Sequence, residues 1–167
     1  MKARAGRAIE VTQRVVGTPE EVFPYFTNAE MYVKWKGLEA QLDPRPGGIY
    51  RVKMWDGGLW AEGEYLEVEP PSRVVFSWGW RGELVPAGMA EVPPGSTRVE
   101  IDLIADGDGT IIRLRHSGLP GDDAEVVHTW GWQTFLSRLE VRRAGGDPGE
   151  HPQTVPTPAD LRGVSSR

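Results

Sequence analysis

The feature that most constrains the fold of this sequence is one long amphipathic helix near its C-terminal end. Asp122, followed three residues later by Glu125, is typical of a helix start, and Gly145-Gly146 marks the end. A helix of about 22 residues is roughly 33 Å long. We expect Gly131, at the edge of its apolar stripe, to let a strand backbone approach closely. At the helical period that stripe comprises His128, Trp132, Phe135, Leu136 and Leu139.

The residues before this helix are patterned mainly as strands. A strand over 9–15 precedes two short helices. The first begins at Thr18 and is shortened by Pro24, and the second spans 29–34. A sheet with one apolar face must bury that face, and only the long helix is large enough to cover it. The sequence therefore predicts an α+β domain, in which a curved antiparallel sheet wraps around the long C-terminal helix. The remaining strands are predicted over 38–42, 49–55, 60–68, 73–80, 98–104 and 110–116.

Length and composition indicate one folded domain. The 167 residues predict a flexible N-terminal arm over 1–6, a domain over 7–144 and a Pro/Gly-rich tail over 145–167, mobile or draped over the surface. The absence of cysteine excludes disulfides, thiolate nucleophiles and sulfur-ligated zinc. No apolar run reaches the roughly 18 residues of a membrane span, and no signal peptide is evident, so we expect a cytoplasmic protein. The net charge of −5, with scattered basic residues, argues against a nucleic-acid partner.

A set of short motifs, distributed along residues 8–140, resembles one known family. They are Thr18-Pro19-Glu20-Glu21-Val22-Phe23, Trp35, Pro46-Gly47-Gly48-Ile49-Tyr50, Gly63, Pro70-Pro71, Val74-Val75-Phe76-Ser77-Trp78, Gly109-Thr110, His116-Ser117-Gly118 and Gly131-Trp132 with Leu136 and Leu139. Their order and spacing resemble the homologues of the activator of heat-shock protein 90 ATPase, within the START-related (SRPBCC) superfamily. The resemblance implies a helix-grip fold with a cavity between the sheet and the last helix. It implies no single activity, because the superfamily includes lipid and hormone binders, polyketide cyclases and co-chaperone domains.

Seven tryptophans are many for this length, and their positions favour a ligand-binding cavity. The alternative for each is ordinary core filling. The predicted cavity wall consists of Met54, Trp60, Phe76, Trp78 and Trp80, and the predicted lid of His128, Trp132, Phe135 and Leu139.

Three titratable residues are weak candidates for catalysis in that cavity. His128 is either a general base or a histidine with its hydrogen bonds satisfied at the edge of the core. Glu62 and Glu64 share the strand face of Trp60, which is either the cavity wall or the solvent face. A metal held by His116 and His128 would need a carboxylate such as Glu125, and no ligand-spacing motif supports it. We therefore predict no metal and no cofactor.

The leading hypothesis is the binding of a small hydrophobic or aromatic molecule without catalysis. The second is a cyclase, hydrolase or lyase acting on a polyketide-like substrate, with Tyr50 or Tyr65 as proton donors. The third is a co-chaperone or stress-response interaction domain, although the residues themselves do not indicate a chaperone partner. Its candidate surface is Val126, Val127 and Trp130, which could equally pack under the 81–94 connection or form a homodimer contact.

Overall fold

The computed structural model describes residues 8–55, 58–82 and 91–165, so the predicted arm over 1–6 lies outside the described residues. The strands are β1 (Ala8–Val16), β2 (Glu39–Leu42), β3 (Ile49–Trp55), β4 (Leu59–Glu69), β5 (Arg73–Trp78), β6 (Trp80–Arg81), β7 (Thr97–Asp106) and β8 (Gly109–Ser117). The helices are α1 (Pro19–Val22), α2 (Pro24–Thr27), α3 (Ala29–Tyr32), α4 (Asp122–Arg143) and α5 (Pro158–Ser165).

The strands form one antiparallel sheet in the order β1-β8-β7-β5-β4-β3-β2, with the short β6 paired to β4. The sheet curves around α4, which confirms the predicted helix-grip fold. The predicted strand over 73–80 is divided at Gly79 into β5 and β6. A Cβ at Gly79 would lie 1.8 Å from the carbonyl oxygen of Pro93. The close approach of that backbone therefore requires glycine.

The short helices after β1 follow the local sequence closely. The Thr18 side chain accepts a hydrogen bond from the Glu21 amide and caps α1. Pro24 has no amide hydrogen to continue α1, so a second turn begins there as α2. Asn28 caps α3 in the same way, through the amide of Met31. The structure confirms the predicted shortening by Pro24.

The sequence indicated Asp122 as the N-cap of α4, whereas the structure has the N-cap one residue earlier. Its N-cap is Gly121, with φ of 92°, and no side chain caps the helix, so Asp122 is not the cap. The prediction for Gly131 was also wrong, since a Cβ built there would meet nothing within 4 Å. No strand backbone lies against it, and the position borders open space.

The core lies between the concave face of the sheet and α4. Trp35, between α3 and β2, is fully buried and donates its indole N–H to the carbonyl oxygen of Tyr25 at 3.0 Å. The largest fully buried side chains are Trp35, Trp78, Tyr32, Tyr50, Tyr65, Phe26, Phe76, Met54, Ile101, Ile112, Leu114 and Leu136. Burial of this many large side chains is the main stabilising contribution to the fold.

The segment after α4 packs back onto the domain. Arg138 of α4 donates to the carbonyl oxygens of Pro148, Gly149 and Glu150. The helix α5 then lies along the start of α4, where Leu161 and Val155 pack against Ala124 and Val127. We refer to residues 147–161 as the C-terminal strap.

Candidate functional site

A small cavity of about 40 Å³ lies between the sheet, α4 and the C-terminal strap. Its volume is about three times the minimum for one water molecule, so it is a real void between packed elements. The side chains around it are mostly aromatic or aliphatic. The lining comprises Lys36, Met54, Trp55, Trp78, Trp80, Val127, His128, Trp130, Gly131, Trp132, Phe135 and Val155.

Most of the predicted cavity residues meet at this void, and some do not. Those that line it are Met54, Trp78, Trp80, His128, Trp132 and Phe135. Phe76 instead stacks on Tyr50, with ring centroids 4.1 Å apart, and Leu139 is fully buried in the core, so neither borders the cavity.

Trp60, Glu62 and Glu64 share one strand face, as predicted, but that face is the outer one. The guanidinium of Arg51 lies 4.4 Å from the ring centre of Trp60, and Glu62 accepts hydrogen bonds from Arg51 at 2.7 Å and Arg81 at 2.6 Å. Their neighbours in β4, such as Ala61, face the core instead. Trp60 is therefore not a cavity wall, and neither glutamate is available to a ligand there.

His128 is 5% exposed, and both of its ring nitrogens are occupied. Its Nδ1–H donates to the carbonyl oxygen of Ala124 at 2.7 Å, and its Nε2 accepts the indole N–H of Trp80 at 3.1 Å. Burial lowers the pKa of His128 to about 4. The imidazole is thus a neutral part of the wall, and no ring nitrogen is free to abstract a substrate proton.

His116 is fully buried in a complete hydrogen-bonded chain. Trp132 donates its indole N–H to Nδ1 of His116 at 3.0 Å, so Nε2 carries the hydrogen and donates to Thr97 at 2.8 Å. Thr97 in turn donates to the carbonyl oxygen of Trp78 at 2.7 Å. Burial holds the pKa of His116 well below its ordinary value. In the part of the chain that the structure describes, no group of three His, Cys, Asp or Glu residues could hold a metal.

The tyrosines proposed as proton donors point away from the cavity. The hydroxyls of Tyr32 and Tyr50 bond to each other, and Tyr65 donates to the carbonyl oxygen of Phe26 at 3.0 Å. Burial raises the pKa of each hydroxyl above its ordinary value, which disfavours proton release. The indole N–H of Trp78 makes no hydrogen bond to the described residues.

Lys36 is the cavity residue that sequence reasoning missed. Its side chain is 3% exposed, and Nζ donates to the sulfur of Met54 at 3.3 Å. Nζ also lies 5.0 Å from the ring centre of Trp132 and 5.5 Å from that of Phe135. No carboxylate among the described residues pairs with it, and burial lowers its pKa to about 7.

The C-terminal strap closes the outer side of the cavity. Trp55 donates its indole N–H to the carbonyl oxygen of Pro152 at 2.8 Å, and His151 Nε2 accepts the amide N–H of Gly37 at 3.0 Å. The ring of His151 also lies 5.2 Å from that of Phe135. Val155 completes the wall beside α4. The strap is therefore part of the site.

The surface predicted for a partner protein is only partly open. Val127 is buried beneath Val155 and Leu161 of the strap, whereas Val126 and Trp130 are half-buried. Both border an open groove of about 750 Å³ between the start of β1, α4 and α5, which Ile9 also lines. Across residues 8–55, 58–82 and 91–165, no helix has the length and apolarity needed to cross a membrane.

Comparison with known proteins places this geometry in a family. Residues 17–142 match the family model described as Activator of Hsp90 ATPase homolog 1-like protein. A search of curated proteins finds no match.

Three solved structures share the fold. An AHSA1-like protein from Rhizobium etli is 39% identical, with a TM-score of 0.67 over 93% of this chain and 94% of that one. The Aha1 dimer from Colwellia psychrerythraea is 18% identical, with a TM-score of 0.65 over 82% and 96% of the two chains. DynU16, a putative protein in the dynemicin biosynthetic locus, is 23% identical, with a TM-score of 0.67 over 86% and 50%.

The last two likenesses show the fold alone, whereas the first is close over nearly its whole length. Together with the family model, it confirms the resemblance drawn from the sequence motifs. The protein belongs to the Activator of Hsp90 ATPase homolog 1-like family.

Proposed function

We propose that the protein binds a small apolar or aromatic molecule in the cavity between the sheet and α4, without catalysing a reaction. The observation that carries the proposal is the void itself, which is walled by aromatic rings from β3, β5, β6 and α4. Apolar walls favour an apolar occupant over water, because water would lose hydrogen bonds there.

The size of the void limits how a ligand enters. At about 40 Å³ it holds only one end of an aromatic molecule while the strap is docked. A whole ring needs more room, which an outward shift of the strap at Val155 would provide. The free energy needed to undock the strap then offsets part of the binding free energy, so the measured affinity is weaker than that of the open cavity.

The proposal is tested by titrating the protein with toluene and following tryptophan emission, since Trp78, Trp80 and Trp132 surround the void. We expect saturable quenching. The variant Trp80→Leu removes one wall and should weaken toluene binding at least tenfold. The matched variant Trp60→Leu alters an indole on the outer face and should leave the affinity unchanged.

Two results would argue against binding in the cavity. One is the absence of any saturable response to toluene. The other is an equal loss of affinity in the Trp80 and Trp60 variants, which would place the ligand on the surface.

The acid–base alternative has little support from the site. His128 uses both ring nitrogens, while Glu62 and Glu64 lie on the outer face. A cyclase, hydrolase or lyase mechanism would need a different proton carrier.

Interaction with another protein is the second candidate function. It is favoured by the likeness to the Aha1 dimer and by the open groove beside Val126 and Trp130. Sedimentation velocity at rising protein concentration tests the homodimer form. A strictly monomeric protein would exclude that form and leave only a chaperone partner.

A further inference from the structure

The amine of Lys36 has surroundings that differ from those of Lys34 and Lys53, the other lysines among the described residues. Its Nζ is enclosed by the Met54 sulfur and by the rings of Trp132 and Phe135, and it borders the void directly. By contrast, Lys34 is exposed and Lys53 is half-buried. Because it lines the cavity, the amine of Lys36 will contact a molecule that enters it.

The groups that face Lys36 do not supply a negative charge. The titratable side chains that sense its charge are His116 of β8, His128 of α4 and His151 of the strap. Burial is the main reason that the pKa of each histidine is lowered, and the charge of Lys36 adds to it. None is a carboxylate, and among residues 8–55, 58–82 and 91–165 no carboxylate pairs with the ammonium form. Burial lowers the pKa of Lys36 to about 7, so the unprotonated amine, which is the form that attacks a carbonyl, is accessible at neutral pH. Desolvation in an apolar pocket is an established way of activating a lysine nucleophile.

We propose that Lys36 captures a small aldehyde or ketone in the cavity as a covalent imine. This inference rests on the proposed binding function and names the ligand class for the same site. Nζ bonds to the carbonyl carbon, and the carbonyl oxygen leaves as water with the two hydrogens of the amine. The water passes out of the apolar pocket, which favours the imine. The aromatic walls then hold the rest of the ligand.

The test is reductive trapping at pH 7 with benzaldehyde and sodium cyanoborohydride. The reagent delivers hydride to the imine carbon, a proton from water goes to nitrogen, and the product is a stable benzylamine. Peptide mapping by mass spectrometry should find Lys36 modified at least tenfold faster than Lys34 or Lys53. The advantage should shrink at pH 10, where the exposed amines also lose their protons. Lys36→Arg should abolish the selective adduct, and Lys34→Arg should leave it unchanged.

Toluene, which lacks the carbonyl, separates this inference from the proposed function. If toluene binds and benzaldehyde modifies Lys36 no faster than Lys34, the cavity is a binding site and the imine proposal is wrong. If neither compound binds or reacts, both proposals fail. A selective adduct that persists in Lys36→Arg would assign the reaction to another lysine and also overturn the inference.

Discussion

The indole nitrogen of Trp55 lies 2.8 Å from the carbonyl oxygen of Pro152 and donates its hydrogen to it. This bond joins β3 of the sheet to the C-terminal strap. Together with the bond from the Gly37 amide to His151, it holds the strap in the position from which Val155 lines the cavity. The closure depends on a few polar contacts, so small changes there should be measurable.

The first prediction concerns Trp55→Phe. The phenyl ring keeps most of the apolar contact but loses the bond to Pro152, which should weaken strap docking by about 1 kcal/mol. We expect faster hydrogen exchange of the amides in 147–157, with little change in the global unfolding midpoint. Trp60→Phe, on the outer face, is the control. Equal exchange in the two variants would show that the bond does not hold the strap.

The second prediction concerns stability in acid. The pKa of His128 is about 4 in the folded protein and close to 6.5 when unfolded. Between these values only the unfolded state binds the proton. The contribution of His128 to the free energy of unfolding is therefore fully present above pH 6.5 and is lost as the pH falls towards 4. The loss should be roughly 3 kcal/mol, and His116 adds to it in the same direction. Urea midpoints at pH 7.5, 6 and 4.5 measure it.

His128→Gln is the matched variant for this effect. The variant replaces the imidazole that bonds to Trp80 and Ala124, so it should be less stable than the native protein at pH 7.5. Glutamine itself gains no proton in this range. The difference in free energy of unfolding between the two proteins should be smaller at pH 4.5, because acid removes the His128 contribution from the native protein only. A difference that is constant with pH would show that folding does not shift the pKa of His128.

The third prediction concerns Lys36 at alkaline pH. Its folded pKa is about 7, against an ordinary value of 10.5, so between these values the unfolded state holds the extra proton. Stability should therefore rise from pH 7 to pH 9, by roughly 2 kcal/mol. Lys36→Met should be more stable at pH 7 and lack the rise. Lys34→Met, at an exposed site, should retain it, and urea midpoints at the two pH values distinguish the outcomes.

The fold was largely predictable because its signals are local. Proline and glycine positions gave the ends of the strands to within a few residues, and Thr18 and Pro24 gave the short helices. Alternation in β4 correctly grouped Trp60 with Glu62. It could not tell which face meets the core, because alternation fixes only which residues share a face. That choice is made by pairing with β3 and by the shift in register between Tyr65 and Glu67.

The candidate site was harder to predict for two physical reasons. Lys36 lies in a connection after α3, where no period applies and where a lysine is ordinarily exposed. Its burial follows from long-range packing against Met54 and Phe135. The Pro/Gly content of the strap left open whether it is mobile or draped over the surface, and it did not indicate that Val155 and Leu161 pack against α4.

The fourth prediction concerns Gly131→Ala. The position is interior to α4 and a Cβ there meets nothing within 4 Å, so alanine should stabilise the protein by roughly 0.5–1 kcal/mol. Thermal unfolding measures the gain. Gly63→Ala is the contrast, because its Cβ would lie 1.8 Å from the carbonyl oxygen of Ser77. A loss of stability in both variants would show that a methyl group does not fit at position 131 in solution.

The position of the strap in the chain has an evolutionary consequence. The family model ends at residue 142, whereas Val155, which lines the cavity, and His151 and Pro152, which bond to Gly37 and Trp55, come later. Substitutions in the strap can change the shape of the cavity without altering the sheet or α4, where most substitutions would lower stability. Under the proposed binding function, selection can therefore alter which ligand the cavity accepts while the sheet and α4 stay the same.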